Sequence, residues 1–157
     1  MGLDRPGAQA PLNTTVRCAV SIARPPEAVA SILLDENKAV LWTSGLQRFE
    51  VVDRPPGLVG SKARLHYLEG GRSYIMEDLL LEVEPNRRFL SRVTGDAIEA
   101  EVETTLEPAP DGTVVTVRWS GRGRRLLVRL LLPFMRGAIK RQTIGDLMKL
   151  KALVESG

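Results

Sequence analysis

One histidine, one cysteine and two tyrosines in 157 residues leave few ways to assemble an active site. His66 and Cys18 are far apart and cannot supply the usual zinc ligand set, so no metal and no cofactor is expected. The run Gly121–Arg125, GRGRR, lacks the spacing of a phosphate loop or a dinucleotide fingerprint. There is no Gly-x-Ser-x-Gly elbow, and a Ser-His-Asp triad could be drawn only through His66. What remains are ionisable groups on strand faces. Ala63, Leu65 and Tyr67 form the more apolar side of one strand, so Tyr67 is expected to point inward and His66 outward. In the next strand Glu77 shares a period-two face with Ile75, Leu79, Leu81 and Val83. If that face lines a cavity, the carboxylate loses solvation, its pKa rises, and Glu77 with Tyr67 becomes the candidate acid–base pair. If the strand end is exposed there, Glu77 is a surface charge.

A second set of residues suits an apolar ligand rather than a reaction. Trp42, Tyr67, Tyr74, Met76, Trp119, Leu130 and Phe134 are the candidate contacts. A buried indole needs a partner for its N–H, which a ligand can supply, and methionine gives a compliant wall. Trp119 shares a face with Val115 and Val117, where core packing serves equally well. Tyr74 has the parity opposite to Ile75 and is the weakest of the set.

These side chains need elements to hold them. From Thr14 to Ile22 apolar and polar residues alternate, as in a half-buried strand. Pro25-Pro26 ends it and opens a short helix with Val29, Ile32 and Leu33 in phase; a second short helix covers residues 36 to 43. About six strands follow, punctuated by turn signals at Pro55-Pro56-Gly57, Gly70-Gly71, Pro85-Asn86, Gly95-Asp96 and Asp111-Gly112. The clearest alternation puts Ile98, Ala100, Val102, Thr104 and Leu106 inside and Glu99, Glu101, Glu103 and Glu107 in water. Hairpin-length turns imply an antiparallel sheet. Only the segment from about Arg124 to Glu155 is long enough to cover it. The expected class is α+β, a curved antiparallel sheet of about seven strands around a long C-terminal helix.

That helix cannot be straight. Leu127, Leu130, Leu131, Phe134 and Ala138 form one apolar stripe, with Arg125, Arg129, Arg136 and Lys140 roughly opposite. Ile139, Thr143, Leu147, Leu150 and Val154 form another, almost opposite the first. One rigid helix on one sheet cannot bury both, and Pro133 marks the place for a break. Residues 139 to 154 are expected to be the packed half. Residues 124 to 137 then face the cavity or its mouth, a second copy in a homodimer, or a membrane surface.

The length fits a single domain over residues 14–157, with residues 1–13 a flexible Pro/Gly/Ala-rich lead-in. One cysteine and no apolar leader make a cytoplasmic location the expectation. The net charge of +3 divides unevenly: residues 122–157 carry 9 Lys/Arg against 2 Asp/Glu. Nucleic acid is not expected as a partner, since Phe134 is the only aromatic in the basic segment and stacking platforms need more. The apolar run at residues 126–135 is about half the length of a membrane span.

The order of local patterns resembles the polyketide cyclase/dehydrase and lipid-transport group, the START-like or birch-pollen-allergen superfamily with a helix-grip fold. ARPPEAVASILLD resembles its strand-to-helix opening. VLWTSGLQRFEVVDRPPGLVGSKARL resembles its second helix, tryptophan and Pro-Gly-x-x-Gly turn. LLLEVEPNRRFLSR resembles its Glu-x-x-Pro hairpin, PAPDGTVVTV its Gly-Thr turn, and DLMKLKALVES the end of its last helix. The resemblance implies an apolar small-molecule ligand such as a lipid, a polyketide-like aromatic or an isoprenoid, held between sheet and C-terminal helix. Two other roles stay open: a polyketide cyclase or aromatase, and a protein-interaction or chaperone-related module. These are turn and packing motifs, and a fold alone does not specify a reaction.

Overall fold

The computed structural model describes residues 13–157. The lead-in expected over residues 1–13 lies outside them, except for Asn13. Strand β1 (Thr14–Ile22) leads into helices α1 (Pro26–Leu33) and α2 (Glu36–Trp42). Six strands follow: β2 (Leu46–Asp53), β3 (Lys62–Glu69), β4 (Arg72–Glu84), β5 (Arg88–Thr94), β6 (Ile98–Ala109) and β7 (Gly112–Gly123). The described chain ends in α3 (Leu126–Leu131), a 3-10 turn over Leu132–Met135, and α4 (Arg136–Glu155). All seven strands pair antiparallel in the order β1-β7-β6-β5-β4-β3-β2. This is the helix-grip arrangement that the alternation and the turn signals predict.

Local chemistry sets the element ends. Pro26 opens α1, where its missing N–H costs nothing. Asp35 caps α2 by accepting the Asn37 backbone N–H at 2.9 Å. Asp35→Ala is expected to cost about 1 kcal/mol in urea denaturation, the usual cost of a lost N-cap; an unchanged midpoint would show that the cap is dispensable. Gly70 and Gly71, with φ of 56° and 78°, make the tight β3–β4 hairpin. At Gly112 a side chain would run into the Ile22 carbonyl and the Arg24 nitrogen, so the end of β1 can approach this turn only because glycine is there.

Ion pairs link the outer face from β4 to β7. Arg88 bridges Glu82 and Glu103, at 2.5 and 2.8 Å, and Arg92 reaches Glu99 and Glu101. The inner face carries two apolar clusters. Val16, Cys18, Ile22, Leu106 and Val115 from the β1–β7–β6 side meet Val29 of α1 and Leu147, Leu150 and Val154 of α4. At the other end Leu46, Ala63 and Leu65 meet Ala39 of α2.

The C-terminal segment breaks where the two stripes change phase. Leu147, Leu150 and Val154 are buried and Ile139 packs beside them, so the second stripe grips the sheet. The Lys151 ammonium donates to the Ser21 carbonyl at 2.7 Å, and Glu155 accepts the Ala23 N–H at 2.7 Å, so α4 is fastened to β1 and its exit. The first stripe behaves otherwise. Leu130 is 61% exposed and Phe134 87%, and Leu127 and Leu131 are exposed as well. Only Leu132 in this stretch is fully buried. The expectation that the first stripe lines the cavity is therefore corrected. Leu132 follows Leu130 by two ordinary helical steps, about 200°, so it lies on the face opposite the stripe, and it is that face which turns inward. The α3 backbone also lies directly on Gly123, with no room for a side chain between them.

Candidate ligand-binding cavity

Between the two apolar clusters lies a cavity of about 440 Å³. Its roof is α1 and α2, through Leu33, Ala39 and Trp42. Its floor is the inner face of β2 to β6: Leu46, Phe49, Leu65, Leu80, Phe89, Val93 and Val102. The exposed members of the wall, Leu34, Val51, Asp53, Arg54 and Lys62, place the opening between the α1–α2 turn and the β2–β3 loop. There Arg54 and Glu36 form a salt bridge of 2.8 Å. No residue of Leu126–Glu155 lines this cavity. The expected location between sheet and C-terminal helix is thus corrected. Fastened along β1, α4 covers that edge of the sheet and leaves the β2–β6 half to the two short helices.

The wall is mostly apolar, with charged residues at the opening and Thr43, Ser61, Tyr67, Asp78, Ser91 and Thr104 among the polar members. The Asp78 carboxyl sits on the floor, and burial pushes its pKa up to about 6 against the opposing hydrogen bond from Ser91. Its Oδ1 is buried without a partner, and so is the indole nitrogen of Trp42 in the roof. A buried polar atom left unpaired costs about 1–3 kcal/mol, so two of them in one cavity wall mark positions that a ligand or water would satisfy. The Tyr67 hydroxyl is pushed up to about 12, first by burial and then by Asp78, Asp146 and Glu69, and stays a neutral phenol. Nearby, Asp146 of α4 accepts from the Ser44 backbone N–H at 3.1 Å and from the Ser44 hydroxyl; its pKa is raised by burial.

Of the residues expected to form the site, Trp42 and Tyr67 line the cavity. Tyr74 stacks on Tyr67, ring centroids 5.1 Å apart, but lies outside the wall and is half exposed. Met76 packs on the second cluster, with its sulfur against Gly95. Trp119 points inward as core, its ring laid over Gly121. Leu130 and Phe134 point to solvent.

Glu77 is the main correction. It is exposed on the outer face of the sheet, directly across from Arg64, in a shallow depression that also holds Lys62 and Arg92. Its neighbour Asp78 takes the inward position. The cause is a β-bulge: Leu80 pairs with Ser91 and Glu82 with Leu90, so Leu81 is an extra residue. Val83 faces inward beyond the bulge, and before it the inward set is Tyr74, Met76, Asp78 and Leu80. Extending the face back from Val83 therefore misassigns everything from Leu79 to Ile75. The one sequence signal was the run Leu79-Leu80-Leu81, which carries no parity and so hides the slip.

The sequence profile of the family described as polyketide cyclase / dehydrase and lipid transport matches residues 13–155. No curated protein matches the chain significantly by sequence. Among solved structures, the chain is similar to the Zhui aromatase/cyclase from Streptomyces sp. R1128, with TM-score 0.76 and 16% identity over 91% of this chain and 94% of that one. It is similar to a START superfamily protein from Mycobacterium smegmatis, with TM-score 0.74 and 19% identity over 90% and 97%. It is also similar to DR_A0006 from Deinococcus radiodurans, with TM-score 0.66 and 26% identity over 92% and 98%.

Proposed function

Because the chain belongs to the polyketide cyclase / dehydrase and lipid transport family, we propose that it binds an apolar small molecule carrying both a hydrogen-bond acceptor and a hydrogen-bond donor. The family and the fold support a module for hydrophobic ligands or for cyclase-like chemistry. One observation carries the finer reading: two residues in the wall of a mostly apolar cavity each hold a buried polar atom without a partner, the Trp42 N–H and Asp78 Oδ1, which a small turn of either side chain would offer to a ligand. A plain hydrocarbon chain would leave both unpaired, and a polycyclic or polyketide-like ketone with hydroxyl groups would satisfy both. Such sites derive affinity from the apolar wall and selectivity from the few polar contacts.

The test uses 1,8-dihydroxyanthraquinone and anthracene as probes, followed by fluorescence titration. The hydroxyquinone is expected to bind more tightly. Trp42→Phe keeps the ring packing and removes the N–H, and is expected to weaken hydroxyquinone binding about tenfold, the worth of one hydrogen bond, with little effect on anthracene. Equal losses for both probes would sink the polar part of the reading. Native mass spectrometry of the purified protein would then identify a co-purifying ligand.

A catalytic reading has its own support. A carboxyl with a pKa of about 6 is suited to general-base work near neutrality, and Tyr67 beside it holds its proton. Asp78 would take a proton from a carbon flanked by two carbonyls; the enolate carbon would then bond to a further ketone carbon of the same chain as that C=O π bond opens, and the proton on Asp78 would pass to the new alkoxide, with the Tyr67 hydroxyl donating a hydrogen bond to the enolate oxygen. Asp78→Asn is expected to retain probe binding and abolish aldol cyclisation of a poly-β-ketone substrate; unchanged turnover would exclude Asp78 as the base.

A further inference from the structure

The C-terminal segment offers a second surface, independent of whatever the cavity holds. Leu126, Leu127, Leu130, Leu131, Phe134 and Met135 are all exposed within ten residues, and Phe134 has only 13% of its surface covered. A contiguous exposed apolar patch of this kind marks an interaction site. The charges around it are of one sign. Arg124, Arg125, Arg129, Arg136, Lys140 and Arg141 lie in the same segment, and among the described residues none of them has a carboxylate within 4 Å. Three are held by neutral backbone carbonyls instead: Arg124 by Gly95 at 2.7 Å, Arg129 by Gly123 at 3.1 Å and Arg136 by Thr15 at 2.9 Å. These contacts position the guanidinium groups and leave their charge uncompensated. On the sheet, Arg88, Arg92 and Arg122 have glutamate partners while, among the described residues, Arg17, Arg48, Lys62, Arg64, Arg72 and Arg118 do not, so what sets this segment apart is that its free cations flank an exposed apolar run.

From this combination we propose that α3 and the 3-10 turn dock on a bilayer surface rich in anionic phospholipid, with the leucines and Phe134 in the headgroup–acyl boundary and the cations on the phosphates. An amphipathic segment with a cationic face binds such surfaces by apolar burial plus charge attraction. A second copy of the chain fits less well, since a two-fold contact would set the same cations against each other. No helix among the described residues is long and apolar enough to cross a membrane, so the contact is with the surface.

The experiment is flotation of the full chain with two kinds of vesicle: phosphatidylcholine alone, and phosphatidylcholine mixed with phosphatidylglycerol. Binding is expected on the mixed vesicles, with a loss of more than tenfold when salt rises from about 0.05 M to about 0.5 M. The double variant Leu130→Asp/Phe134→Asp is expected to abolish flotation and leave the circular dichroism spectrum and thermal midpoint unchanged, since both side chains are exposed. Arg125→Gln and Lys140→Gln should each weaken binding about fivefold. No flotation with anionic vesicles, equal binding to both vesicles, or a wild-type dimer that the double variant converts to monomer would each overturn the proposal.

Discussion

Asp78→Asn is expected to remove a pH dependence of stability that the wild type shows between about pH 4 and pH 6. In the folded chain burial raises the Asp78 pKa from the ordinary 3.8 to about 6. The fold thus favours the protonated carboxyl. Its contribution is fully present below the unfolded value and is lost as the pH rises through the folded value. The loss amounts to on the order of 3 kcal/mol and is complete somewhat above pH 6. Asparagine has the same shape, can still accept from Ser91, and carries no charge to desolvate. Other carboxyls also shift on folding, Glu36 and Glu50 downward through their hydrogen bonds with Arg54 and His66 and Asp146 upward through burial. The informative quantity is therefore the difference between wild type and variant. Urea denaturation from pH 4 to pH 8 should show the variant gaining on the wild type as the pH rises, with a plateau above about pH 7. A flat difference would mean that Asp78 is solvated when the chain is folded, and would remove it as cavity floor and as base.

The second large effect concerns the break in the C-terminal segment. Leu132→Ala is expected to lower stability by about 2–5 kcal/mol, the usual range for truncating a fully buried leucine. Leu130→Ala and Phe134→Ala, two residues to either side, should change it by no more than about 0.5 kcal/mol. If the apolar stripe faced the sheet the ranking would be reversed, because Leu130 and Phe134 belong to it and Leu132 does not. Urea midpoints of the three variants decide between the two. Equal costs, or a larger cost at Phe134, would show that α3 is packed in another orientation.

The two corrections at the site arise differently. Period-two and period-3.6 patterns assign a face only while the period holds. In β6 it holds throughout, and Ala100 and Leu106 are buried as the alternation predicts. It holds in β3 as well, so Tyr67 and His66 are placed correctly, the latter outward at 2.9 Å from Glu50. It holds in α4 from Ile139 to Val154. It fails in β4, where the bulge at Leu81 reverses the face upstream and exchanges Asp78 for Glu77. In α3 the period holds, but the apolar stripe it groups together faces solvent and the opposite face, with Leu132, turns inside. A bulge, and the face of an amphipathic helix that meets the sheet, are decided by neighbouring elements and by the space available, and a single segment does not carry that information.

The sequence by itself determined the strand count, the order of elements, the two short helices after the first strand, and the need for a break near Pro133. Each of these follows from local chemistry: alternation, turn glycines, capping, and the conflict between two apolar stripes. Only the tertiary structure decided which carboxyl reaches the cavity, and that α1 and α2 rather than α4 roof it. It also decided that the greasiest run of the chain faces outward. Those outcomes depend on how far α4 sits toward β1 and on one extra residue in one strand. Both are set by packing between elements distant in sequence, where the free energy of burial rather than local preference selects the face.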